Sequence, residues 1–205
     1  MSLETLRKIN DAQTLRALTH PVRIALLEQL IVEGPMTATE VGKRIGESAT
    51  TCSFHLRQLA KYGFVEEAGG GKGRARPWRM TSIGMQISEP SEDPEAALAS
   101  FALVRLLRER QLDRLRTWLE SRASYPEEWR RAADSSDFIF YLTAEELAAL
   151  NQELAEFLLP RCQERLADPA KRPAGSVPVE VVVFTYPLAL PGLPSAMTPA
   201  GGPLR

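Results

Sequence analysis

Apolar residues in the first part of the chain recur at helical spacing in four successive blocks. Leu3, Leu6, Ile9, Leu15 and Leu18 fall mostly three or four positions apart and predict an amphipathic helix from Leu3 to Leu18. Thr19-His20-Pro21 opens a second, since proline is tolerated at the first helical position. Ile24, Leu27, Leu30 and Ile31 line its inner side until Gly34-Pro35 stops it. Thr37 and Glu40 have the spacing of a capping box and predict a short third helix ending near Gly46. A fourth begins close to Ser48. Its first half is small and polar (Ser48, Ala49, Thr50, Thr51, Cys52, Ser53), whereas Phe54, Leu56 and Leu59 anchor its inner side before Gly63.

The pattern then changes to short runs rich in strand formers, Phe64 to Ala68 and Pro77 to Thr81. Between them Gly69, Gly70, Gly71 and Gly73 interleave with Lys72, Arg74 and Arg76, a permissive and basic hairpin tip. Helix, short helix, turn, polar-surfaced helix and basic hairpin make a winged helix-turn-helix. In that arrangement the turn Ile45-Gly46-Glu47 sets an angle, the fourth helix enters the major groove of DNA, and the hairpin reaches along the backbone or into the minor groove.

Beyond the hairpin, Asp93-Pro94 starts a long helix whose stripe of Leu98, Phe101, Val104, Leu107, Leu112, Leu115 and Trp118 runs to about Ser121. A short helix at Tyr125-Pro126-Glu127-Glu128-Trp129 follows, then a strand from Asp137 to Leu142. A second capping box, Thr143 to Glu146, opens a helix to about Leu166, and Val179 to Tyr186 reads as a strand beside the first. The expected fold class is mainly α with small β. Residues 1–88 form the winged helix-turn-helix domain, residues 92–186 hold the long helix and a small C-terminal α/β module, and 187–205, with five prolines and three glycines, form a disordered tail.

Composition adds little to this until it is divided. The 205 residues are 44% hydrophobic and 25% charged, as expected of a globular chain. No apolar run approaches the roughly 20 residues of a spanning helix, and Met1-Ser2-Leu3-Glu4 lacks the order of a signal peptide, so the expectation is a cytoplasmic protein with no membrane partner. Two distant cysteines, Cys52 and Cys162, make no disulfide framework and fit a reducing compartment. The net charge of −1 conceals a balance of +4 over residues 1–83 and −5 over the remainder. From Lys43 to Arg79 eight basic residues face three acidic ones, which points to an anionic partner at one face. Ser48, Thr50, Thr51, Ser53, Phe54 and Arg57 are the candidates for the groove. Small hydroxyl side chains allow close approach, and an arginine can contact guanine bidentately. Lys72, Arg74 and Arg76 on the wing are candidate phosphate contacts.

Three segments, Ala17-Leu18-Thr19-His20-Pro21-Val22-Arg23-Ile24-Ala25-Leu26-Leu27, Thr39-Glu40-Val41-Gly42 and Ser53-Phe54-His55-Leu56-Arg57-Gln58-Leu59 leading to Tyr62-Gly63-Phe64-Val65, occur in order at the spacing the fold requires. Through them the chain, over residues about 10–82, resembles the ArsR-type winged-helix transcriptional regulators. The resemblance implies a homodimeric, sequence-specific DNA-binding regulator, most often a repressor, acting on a palindromic operator, with the long helix pairing with its dimer mate. His55 sits where that family has a histidine. It either orients against the DNA backbone or packs between helix and wing.

Other chemistries fit poorly. The metal-sensing members carry cysteines in the helix before the recognition helix, but Ala38 to Arg44 contains none, and no histidine follows His55, so no metal or other cofactor is expected. Gly69-Gly70-Gly71-Lys72-Gly73 lacks the Ser or Thr and the following helix of a nucleotide-binding loop. Cys52, which oxidation could turn into a switch at the DNA surface, has no resolving neighbour and reads as a small buried thiol, and Cys162 reads as inert. Two histidines, both in the first 55 residues, offer no catalytic set to the C-terminal region, so no enzyme is expected. Trp118, Trp129, Phe138, Phe140, Tyr141, Phe157, Phe184 and Tyr186 read as core of the C-terminal module. The alternative is a pocket through which a small-molecule effector, or a protein partner, modulates DNA binding.

Overall fold

The computed structural model describes residues 7–69, 76–87, 93–190 and 192. In chain order its elements are β1 (Arg7–Ile9), α1 (Ala12–Leu18), α2 (Pro21–Glu33), α3 (Ala38–Ile45), α4 (Ala49–Lys61), β2 (Val65–Glu67), β3 (Trp78–Met80), β4 (Met85–Ile87), α5 (Pro94–Ser121), α6 (Glu127–Ala132) and α7 (Ala144–Ala167). The first element corrects the helix expected from Leu3 to Leu18. Residues 7–9 are a strand that pairs in parallel with β4, Ile9 opposite Ile87. The helix starts only at Ala12, because the Asp11 carboxylate accepts the Thr14 backbone N–H at 2.8 Å and so fixes the cap there. Leu3 and Leu6 lie outside the described residues.

The next three helices begin and end where local chemistry places them. The His20 side chain caps α2 ahead of Pro21, accepting from the Val22 N–H. Both halves of the Thr37–Glu40 box form on α3, and Gly46, at φ 73°, makes the left-handed turn that ends it. Ser48 then caps α4. Strands β2 and β3 pair antiparallel, Val65 opposite Met80, and Met36 bridges to Trp78 at the base of the hairpin. One apolar core joins these elements, with Leu18, Leu26, Leu27, Val41, Leu56, Leu59 and Phe64 fully buried. The first half of α5 enters the same core through Ala96, Ala99 and Leu103. Its start is fixed by Asp93, which accepts from the Glu95 N–H.

After Leu103 no described residue is buried. Helices α6 and α7 form as expected, the latter with its Thr143–Glu146 box intact. The two strands expected at Asp137 to Leu142 and Val179 to Tyr186 do not form. Among the described residues the only sheets are the pairs β1–β4 and β2–β3. The C-terminal region is therefore helical, without the sheet of the expected α/β module. β-branched and aromatic residues fit a pleated surface, but a strand also needs a ladder partner, and none is supplied among the described residues. The aromatic core expected there is absent as well: Phe138, Phe140, Tyr141, Phe157, Phe184 and Tyr186 are exposed, and Trp118 and Trp129 are half-buried. Of the expected tail, residues 187–190 and 192 have neither helix nor strand, and the remainder lies outside the described residues.

A close backbone approach occurs at the turn between α3 and α4. A Cβ on Gly42 would lie 2.7 Å from the Glu47 carbonyl oxygen and 3.3 Å from Cys52 Sγ. The first of these is backbone and cannot give way cheaply. Gly42→Ala is expected to destabilise the protein by about 1–3 kcal/mol, the range for overpacking a tight contact, read as a lower urea midpoint with an unchanged slope.

Candidate nucleic-acid interface

Helix α4 is held from one side and bare on the other. Cys52, His55, Leu56 and Leu59 are buried, whereas Thr50, Phe54, Arg57 and Lys61 are exposed and Ser53 is partly so. Positions 50, 53, 54, 57 and 61 share one helical face, so the sequence places a hydroxyl pair, an aromatic ring and two cations in a row along it. Phe54 is half exposed at 50% although nothing in the chain requires an aromatic ring in water there. Arg57 makes no ion pair among the described residues, which leaves its guanidinium available to an outside partner. Lys61 extends this face four residues beyond Arg57. The (i, i+4) spacing could have singled it out, but it entered the sequence reading only as one charge among eight.

Not every residue expected at the interface is free to act there. The Ser48 hydroxyl accepts the Thr51 N–H at 3.0 Å and lies 2.8 Å from Thr51 Oγ1, so both hydroxyls are engaged at the helix cap. Arg76, at the base of the wing, donates to Glu67 at 2.6 Å in an exposed pair. An exposed pair of this kind is screened by solvent and contributes little to stability, and a phosphate could take the guanidinium over. Arg79 is paired with Glu66 in the same way. Lys72 and Arg74 lie outside the described residues.

His55 is buried, at 7% exposure, with its ring 5.2 Å from that of Phe54 in an edge-on contact. Its Nδ1 accepts from Arg23 Nε at 3.3 Å, and its ring lies 4.5 Å from that of His20. Arg23 in turn donates to the Ala17 carbonyl, so the two histidines and this arginine tie α4 to α2 and to the end of α1. Burial, followed by the charges of His20 and Arg23, pushes the His55 pKa below its ordinary value, against a smaller opposing effect from Glu47. Cys52 is fully buried against Gly42. Burial pushes its thiol pKa up, with Glu47 adding to the effect, which removes thiolate character from it. Cys162 is exposed, and its thiol donates to the Leu159 carbonyl. Among the described residues no group of His, Cys, Asp or Glu is arranged to hold a metal ion, and no helix is long and apolar enough to cross a membrane.

Residues 18–68 match a family described as a helix-turn-helix domain. They span the end of α1 through β2, the segment that carries the exposed face. No curated protein matches the chain. Among solved structures, the chain is similar to the homodimeric winged helix-turn-helix DNA-binding domain Mb0332 of Mycobacterium bovis, a possible ArsR-family transcriptional regulator. That likeness is 24% identical, covers 49% of this chain and 80% of the other, and has a TM-score of 0.33. The transcriptional repressor BigR of Xylella fastidiosa is 28% identical over 48% of this chain and 84% of its own, with a TM-score of 0.31. The MarR family regulator NMB1585 of Neisseria meningitidis is 18% identical over 71% and 80%, with a TM-score of 0.33.

The histidine cluster sets a sign for pH dependence. Because the native state favours neutral His55, the unfolded chain binds the extra proton, so this contribution is complete above the ordinary value of 6.5 and declines as pH falls through the depressed native value. Urea midpoints measured from pH 7.5 to 5 should fall less steeply for His55→Gln than for the unsubstituted protein. Parallel profiles would remove His55 from the account.

Proposed function

We propose that the chain is a sequence-specific DNA-binding transcriptional regulator of the ArsR type, acting as a homodimeric repressor on a palindromic operator. The observation that carries the reading is the exposed row on α4, with Arg57 at its centre, presented beyond a tight Gly46 turn and beside a basic hairpin. Thr50, Ser53, Phe54 and Arg57 address base edges, with Phe54 suited to the methyl group of thymine and Arg57 to guanine. Ser48 and Thr51 contribute through the helix N-terminus, whose backbone N–H groups favour a phosphate. Lys72, Arg74 and Arg76 hold the flanking backbone. His55 acts from within, fixing how α4 stands on α2. The DNA contact needs no catalytic group or cofactor, and chromosomal DNA as ligand fits a cytoplasmic protein.

The dimer is supported by α5. Its buried residues, Ala96, Ala99, Ser100 and Leu103, face α1 and the core. On the opposite side Leu98 (70% exposed), Phe101 (65%), Leu112, Leu115 and Leu119 are bare. Counting through Arg105 and Arg108, these positions advance by alternating steps of three and four, the spacing of a helix-pairing seam. The stripe seen in the sequence is thus two stripes, one serving the core and one available to a second α5. A seam of this kind places two α4 helices about a two-fold axis, as an operator of two half-sites about one helical turn apart requires.

Two measurements test the reading. In a mobility-shift or anisotropy assay on DNA selected from a random pool, Arg57→Ala should weaken binding by about 1–3 kcal/mol, roughly 5- to 150-fold, and relax sequence preference. Unchanged affinity and salt slope in the combined Arg57, Arg74 and Arg76 alanine variant would overturn the assigned interface. Leu98→Glu with Leu112→Glu should yield a monomer in sedimentation and lose tight operator binding. A dimer that persists would move the two-fold axis elsewhere.

A further inference from the structure

We infer that residues 137–142 of one protomer pair as a β-strand with residues 179–186 of a second copy, so that each chain gives and receives one strand across the dimer. This rests on the homodimer proposed above and adds a second contact, outside the α5 seam. The first segment is bare on both faces: Phe138, Ile139, Phe140 and Tyr141 are 61–101% exposed, with the Phe138 and Phe140 rings stacked at 6.1 Å. The second is anchored at three points: Glu180 is bound by Arg114 of α5, the Arg108 guanidinium lies 4.4 Å above the Phe184 ring, and Thr185 donates to Asn151 of α7. Val177 and Val179 before these anchors, Val181 and Val183 among them, and Tyr186 beyond them are exposed. The segment is thus fastened to the chain's own helices at Glu180, Phe184 and Thr185 and leaves bare a row of β-branched side chains at a period of two, the composition of a strand that lacks cover.

A second copy is the occupant these features select. Neither segment belongs to a ladder among the described residues, yet their composition is complementary. Between Phe138 and Leu142 there is no charge, and between Val179 and Tyr186 the one charge, Glu180, is already paired. Edge strands of proteins that remain monomeric are guarded by charge or proline; here Asp137, Pro178 and Glu180 stand at the starts of the two runs, and Phe138 to Leu142 and Val181 to Tyr186 carry neither. Together the two segments expose apolar surface on the order of 1,000 Å², counting each large side chain at about half of its full area. That exceeds the roughly 300–600 Å² of the largest patch on a typical monomer and is comparable to the ~800 Å² per partner of a stable interface. The surface is also continuous with the seam. Arg108 and Arg114, which hold the second segment, lie on α5 beside Leu112 and Leu115, so a copy docked along α5 brings its own arm to this place.

The test is strand complementation followed by amide hydrogen exchange in the full-length protein. In the unsubstituted protein both segments should exchange at least tenfold more slowly than in a monomeric Leu98→Glu, Leu112→Glu variant. Ile139→Pro should abolish the protection of residues 179–186, and Val181→Pro that of 137–142. When the two proline variants are coexpressed with different tags and the mixed dimer is isolated, one ladder can form across the protomers. The intact 179–186 segment, present only in the Ile139→Pro chain, and the intact 137–142 segment, present only in the Val181→Pro chain, should both regain protection. Mixed dimers without recovery would overturn exchange in favour of pairing within each chain. Fast exchange of both segments in a dimer that binds DNA would overturn the pairing while leaving the proposed function standing, and loss of DNA binding with recovered protection would do the reverse.

Discussion

Burial of apolar surface from one end of α4 to the other is the constraint on which the remainder of this molecule rests. Cys52, Leu56 and Leu59 are sealed against α2, α3 and the hairpin, and Gly42 lets α3 approach closely enough that no side chain intervenes at the turn. A recognition surface is useful only if its orientation is fixed, and a short helix with a polar outer face cannot fix itself. The inner face supplies the missing rigidity. His55 belongs to this inner face: its ring, with His20 and Arg23, makes a polar contact between α2 and α4, while Thr50, Phe54 and Arg57 occupy the outer face.

The same burial ends at Leu103, and this divides the chain more sharply than its charge does. The described residues between Ile9 and Leu103 make a packed unit, while none of those described in the second half of α5, in α6, in α7 or in the segments around them is fully buried. Arginine–carboxylate pairs link this half to α2 and to the segment after α7. Glu28 of α2 accepts from Arg110 and Arg114, and Arg114 also holds Glu180. Burial pushes the Glu28 pKa up, but the hydrogen bonds from Arg110 and Arg114 outweigh that and hold it below the ordinary carboxylate value. Apolar side chains that find no cover within one chain are the reason a second copy enters both the proposed function and the inference drawn from the arm.

Local signals were legible wherever the chain's own neighbours decide the outcome. Thr37 with Glu40, Thr143 with Glu146, Pro21 and Gly46 each act within a few residues, and each does what its type and spacing indicate. Where the outcome depends on a distant partner, the pattern misled. Ile9 fits a helical stripe, but β4 offers it a parallel ladder and Asp11 caps the helix two residues later. Phe138 to Leu142 and Val179 to Tyr186 have strand composition and find no ladder among the described residues. The exposed row on α4 was mostly visible, because the positions of Thr50, Ser53, Phe54 and Arg57 follow from helical spacing. That Ser48 and Thr51 are committed to a cap, that Arg76 holds Glu67, and that His55 points inward are facts of geometry that residue types do not carry.

The Glu28 cluster fixes more than local order, because α5 is a long lever. Its 28 residues span ~42 Å at 1.5 Å per residue. A tilt of about 5° at its root therefore carries its far end ~3.7 Å, about the 3.4 Å step from one base pair to the next. One carboxylate gripping two arginines a turn apart, Arg110 and Arg114, is a brace against that tilt. In a dimer joined along α5, operator spacing would be gauged by this brace, far from any residue that touches a base.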